Sequence, residues 1–115
     1  MFGRTLFASA LLVAPAFAAS PQPEEFKRLT GPQIRKAFTG KLFSDSVHFS
    51  YRFAASGRLQ STQMGKTAIN NWSVSKNQLC IHDQFGENCY DVWINGNTAK
   101  FTIDGPAPFL EGVLK

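Results

Sequence analysis

Apolar and polar positions change their period along this chain. Ile34, Ala37 and Phe38 recur at helical spacing and share one face. Thr30 precedes them as an N-cap, Gln33 stands three residues on as in a capping box, and Pro32 suits a first turn. Gly40 offers a stop. One short helix over 31–39 is predicted, with its apolar face laid over a sheet. From Val47 the period becomes two. Val47, Phe49, Tyr51 and Phe53 alternate with His48, Ser50 and Arg52, the pattern of a half-buried strand. Ala55, Ser56 and Gly57 make a turn. Residues 58–67 are more polar, and Gly65 marks a bulge. If this segment closes a barrel, Gln60, Ser61 and Gln63 line its inside.

Three turn assignments downstream check one another. A two-residue turn at Lys76-Asn77 sets Val74 opposite Leu79 and Trp72 opposite Ile81. A four-residue loop from Asp83 to Gly86 sets Leu79 opposite Tyr90, His82 opposite Glu87 and Cys80 opposite Cys89. Asn95-Gly96 is a strong type I′ hairpin signal, setting Val92 opposite Ala99, Tyr90 opposite Phe101 and Asp91 opposite Lys100. All three agree on one face. Trp72, Val74, Leu79, Ile81, Tyr90, Val92, Phe101 and Ile103 are the expected core side, and a one-residue slip would expose the set. The cysteine pair and the Asp91/Lys100 pair lie on the other side. Beyond Asp104, glycine and prolines stop the strand. Phe109, Leu110, Val113 and Leu114 then pack back on the core or add an edge strand.

The N-terminus changes the picture of where this happens. Arg4, an uncharged apolar run from Leu6 to Ala14, and Ala16-Phe17-Ala18 make the three-part pattern of a secretory signal over 1–18. The run is shorter than the roughly 20 apolar residues a bilayer span needs. Cleavage after Ala18 leaves no stable membrane insertion. Residues 19–28 read as a flexible lead-in, and 29–115 as a single β-rich domain. The place is then the periplasm or the exterior. Oxidising conditions there make Cys80 and Cys89 a structural disulfide that clamps a hairpin. Twelve basic and eight acidic residues give a formal charge of +4. The cations are scattered, without the dense stripe of a nucleic-acid groove, so no nucleic-acid partner is expected.

Candidate chemistry is sparse. His48 and His82 are the only histidines and do not make the three or four converging ligands of a zinc site, so no metal or other cofactor is expected. No Gly-x-Ser-x-Gly elbow, glycine-rich phosphate loop or spaced carboxylate pair appears, and the chain reads as a non-enzyme. Two binding features remain. Eleven phenylalanines allow an aromatic interior for a small apolar ligand, with Phe49, Tyr51, Phe53 and Gln63 as its lining. Alternatively Trp93, Gln84 and Phe85 form an exposed interaction surface for an envelope protein.

Leu29-Thr-Gly-Pro-Gln-Ile34 with Phe38-Thr-Gly40, then Trp72-Ser-Val74, Leu79-Cys-Ile81 and Asn88-Cys-Tyr90, resembles an uncharacterised family of small exported proteobacterial proteins. Their pattern is an LTG opening followed by W-x-V, LC and CY. Asn71 departs from it, standing where the pattern has Gly or Thr. The resemblance implies export, a cysteine pair and a compact β-domain, and it supplies no catalytic residues.

The expectation is a mainly β, antiparallel meander, either an open sheet or a small barrel, with one short N-terminal helix and a hairpin disulfide. Its expected role is an exported non-catalytic envelope protein binding a small apolar or amphipathic ligand. A protein-interaction module, such as an inhibitor or an envelope-stress accessory, is the alternative.

Overall fold

The computed structural model describes residues 25–103 and 109–115, so the signal read at 1–18 and the prolines after Asp104 lie outside the described residues. In chain order the elements are β1 (Lys27–Arg28), α1 (Gly31–Phe38), β2 (Leu42–Ser44), β3 (Phe49–Phe53), β4 (Arg58–Gln63), β5 (Lys66–Ser75), β6 (Gln78–Asp83), β7 (Gly86–Asn95), β8 (Thr98–Thr102) and β9 (Leu110–Leu114). Strands β2 to β9 pair antiparallel in chain order, and β9 returns to β2. The sheet is therefore an eight-stranded closed barrel, the closed form of the expected meander.

The helix forms where its signals place it. Gln33 Oε1 accepts the Thr30 N–H at 2.9 Å, and the Gly31 N–H donates to Asn77 Oδ1 at 2.7 Å. These bonds occupy donors that a helix start leaves free. Ile34 and Phe38 are wholly buried. The apolar face thus plugs one end of the barrel rather than lying over a sheet. Phe38 meets Phe43, Phe53 and Phe101 at centroid distances of 6.0, 5.3 and 5.7 Å. Phe43 stacks on Phe101 at 4.7 Å. Phe43, Phe53 and Phe101 occupy inward positions of β2, β3 and β8, and Phe38 enters from α1.

The register through the disulfide hairpin is the expected one. Trp72 pairs with Ile81, Val74 with Leu79, Cys80 with Cys89, and His82 with Glu87. Cys80 and Cys89 are disulfide-bonded with Cα atoms 4.0 Å apart, on the outer face.

Several expectations need correction. The last hairpin turns at Gly96-Asn97, not Asn95-Gly96, because Asn95 pairs with Thr98. Gly96 alone takes positive φ (60°), as a II′ turn with glycine first requires, whereas I′ requires positive φ at both central residues. The slip is two residues, so faces survive but partners change. Val92 lies opposite Phe101, Trp93 opposite Lys100, and Asp91 opposite Thr102.

Gly65 is no bulge. Met64 and Gly65 both take positive φ (54° and 79°) and form a two-residue hairpin between β4 and β5, splitting the segment 58–67. Val47 stands outside β3 and is 79% exposed, because Asp45 gathers the turn before it. Ile103 is exposed rather than core. Gln60 points outward, while Ser61 and Gln63 share the inner side of β4 with buried Leu59. The end of the lead-in is ordered as β1, and its Lys27 and Arg28 pair with Ile94 and Trp93.

Candidate functional site

The two ends of the barrel differ in chemistry. At the end plugged by α1, the strand connections carry no large apolar side chain: residues 54–57 (Ala-Ala-Ser-Gly), Lys76-Asn77 and Gly96-Asn97. The other end carries the connections after β2, β4, β6 and β8. There the tips are apolar. Val47, Met64, Phe85 and Phe109 are exposed, Met64 and Phe85 by 86% each, and Ile69 and Ile103 flank them. Among the described residues, every exposed large apolar side chain except Val113 of the barrel wall lies at this end. A fold needs no such segregation, and contiguous exposed apolar surface commonly marks a contact site.

Below the tips the inner wall becomes polar. Gln63 Nε2 donates to the Tyr51 hydroxyl at 2.7 Å. Asn70 Nδ2 donates to Ser61 Oγ at 2.9 Å. Burial, reinforced by Tyr90 and Asp83 and partly offset by the Gln63 bond, pushes the Tyr51 hydroxyl above the usual phenol range. Burial with Asp83 nearby raises Tyr90 likewise. Both phenols are therefore neutral at physiological pH. Phe109 stacks on Tyr90 at 5.5 Å.

Beside this mouth runs a groove of about 880 Å³ between the β4–β5 and β6–β7 hairpins. Met64, Lys66 and Ile69 line one side, and His82, Asp83 and Phe85 the other. It exists because β5 outruns its neighbour. The last β5–β6 pair is Asn71 with His82, after which β6 turns into β7. Residues 66–70 stay paired to β4 on one edge only. A shallower depression of about 700 Å³ lies against α1, among Arg35, Lys36 and Lys76. The Gly31 N–H there already has its partner in Asn77, and solvated cations alone do not build a site.

The sequence-derived candidates fall in three places. Phe49, Tyr51 and Phe53 line the barrel interior and are buried, each against other rings: Phe49 on Phe43 at 5.2 Å, Tyr51 on Phe53 at 6.4 Å, Phe53 on Trp72 at 5.1 Å. Gln63 sits at the mouth. Gln84 and Phe85 form the β6–β7 tip and line the groove. Trp93 is not with them. It lies toward the plugged end of β7, half-buried, with Nε1 donating to Thr102 Oγ1 at 3.0 Å, and β1 and β8 flank it. Asp91 takes Arg28 at 2.8 Å as its ion partner instead of Lys100. Met64, Lys66 and Ile69 were missed, because the polar stretch hid its hairpin.

Among the described residues, one cluster has the residue types of a metal site. Glu87 approaches the sulfurs of Cys80 and Cys89, but the disulfide occupies both. Among the described residues no helix is long and apolar enough to cross a membrane. No protein-family model, curated protein or solved structure matches the chain.

Proposed function

We propose that this chain is an exported, non-catalytic binding protein of the cell envelope that takes its ligand at the end of the barrel opposite α1. One observation carries the reading: exposed apolar side chains gather at that end, around a groove of mixed apolar and polar lining. The disulfide fits an oxidising compartment, in agreement with the secretory pattern at 1–18 and the resemblance to small exported proteins. The packed rings of Phe38, Phe43, Phe53 and Phe101 favour binding at the mouth over binding in the interior. An apolar or amphipathic ligand meets Met64, Ile69 and Phe85 with its apolar part and Gln63, Asn70 and Asp83 with its polar part. This mixed lining is usual for ligand sites.

Native mass spectrometry of the oxidised protein, recovered gently from its host's envelope, tests the reading. The native chain is expected to carry an added mass that a Met64→Ser/Phe85→Ser variant of equal thermal stability lacks. A bare native chain, or equal retention by the variant, would overturn it.

A further inference from the structure

The groove beside β5 has an edge with its own chemistry. In an antiparallel ladder the backbone groups of successive residues point to opposite edges. The two-residue turn at Met64-Gly65 makes Gln63 and Lys66 a hydrogen-bonded pair, and the Trp72 N–H bonds Gly57 O at 2.8 Å. Even-numbered residues of β5 therefore bond toward β4, and odd-numbered ones toward β6. Asn71 meets His82. Beyond it Thr67 and Ile69 turn their N–H and C=O groups to the groove, and no described residue pairs with them. The fold treats the other end of β6 differently. Where β7 outruns β6, β1 pairs with Trp93 and Ile94, and the Leu29 N–H bonds Val92 O at 2.9 Å. One overhang is closed by the chain itself, and the other faces a groove.

We infer that this open edge binds a short, free-ended peptide as an added antiparallel strand, an inference that rests on the end opposite α1 being the binding end. Residues 66–70 span about 17 Å at strand rise, room for roughly five ligand residues. Thr67 and Ile69 each exchange two backbone bonds with the ligand, as strand addition requires. Charge sets its direction. A strand antiparallel to β5 begins beside Asp83 and ends beside Lys66, and both line the groove. The ammonium terminus thus meets a carboxylate, and the carboxylate terminus meets an ammonium. The ligand's central side chain, opposite Ala68, points to the same side as Asn70 and Ser61, which are bonded to each other at 2.9 Å. A small polar residue is favoured there.

The test titrates the oxidised, ¹⁵N-labelled protein with the free-ended pentapeptide Thr-Val-Ser-Val-Thr. Saturable shifts and slowed amide exchange at Thr67 and Ile69 are expected. Methylating the peptide nitrogens of both valines should weaken binding at least tenfold. Acetylating and amidating its ends should weaken it several-fold, and K66Q/D83N should erase that difference while leaving the fold unchanged. Shifts confined to another surface, or equal binding of the methylated peptide, would overturn the inference. So would concentration-dependent self-association through the same amides, which would make a second copy the occupant. No binding of the peptide, with an envelope-derived mass still lost in the Met64→Ser/Phe85→Ser variant, sinks the peptide edge alone. Absence of both sinks the binding end as well.

Discussion

Single residues set the geometry of the barrel. Asp45 holds the turn between β2 and β3, where its Oδ1 accepts the N–H groups of Val47, His48 and Phe49 at 2.9, 2.6 and 3.0 Å. Its Oδ2 meets His48 Nδ1 at 2.8 Å. Partial burial pushes this carboxyl up, but the backbone donors and His48 outweigh it, leaving the group well below the usual carboxylate range. A depressed folded pKa contributes stability above the unfolded value, about 3.9 for Asp, and loses it as pH falls through the folded one. The melting-temperature gap between native and Asp45→Asn protein should accordingly be widest near neutrality and narrow below about pH 4; a constant gap would contradict this account. The tyrosines run the opposite way. Raised pKa values leave stability intact below about pH 10 and erode it above. Tyr51 and Tyr90 are the only tyrosines, so phenolate absorbance should appear only above pH 10 and together with loss of fold. Gly112 is fixed by closure. A Cβ there would lie 2.8 Å from Ser44 O and 3.0 Å from Phe43 Cε1. Overpacking of this kind costs roughly 1–3 kcal/mol, and denaturant unfolding of Gly112→Ala should show it.

At the scale of elements, legibility followed the length of the pattern. The β5–β6–β7 register was readable because three turns had to agree and the cysteines fell opposite one another. The β7–β8 partners were not, because Asn95-Gly96-Asn97 offers two overlapping two-residue turns with the same parity. Only the backbone choice at Gly96 separates them. Strand β2 left no periodic signal, since three residues with one buried ring, Phe43, do not display a period. The disulfide joins directly opposed strand residues and closes a short loop, for which chain entropy gives about 2–3 kcal/mol. Replacing Cys80 and Cys89 together by serine should lower stability by about that amount and leave the register unchanged, as cross-strand NOEs would show. Free thiols in protein isolated from its host under non-reducing conditions would contradict the clamp.

For the whole molecule, the sequence pattern predicted an aromatic interior, and the fold decides what that interior is used for. Phe38 enters it from α1, so a helix expected to cover a sheet becomes the stopper of a barrel. Tyr51 and Gln63 were legible as inward residues of alternating strands. Their position just inside the mouth was not, because it depends on which end the helix closes. The apolar tips Val47, Met64 and Phe85 lie far apart in sequence and become one surface only when the sheet closes. On our proposal this surface is the working end of the barrel. Carbene footprinting of the oxidised protein within its host cell, compared with the purified chain, tests it most directly. Protection at Met64, Ile69, Phe85 and Phe109, with none around Arg35, Lys36 and Lys76, is the predicted result. Protection centred on α1, or identical labelling in both preparations, would contradict it.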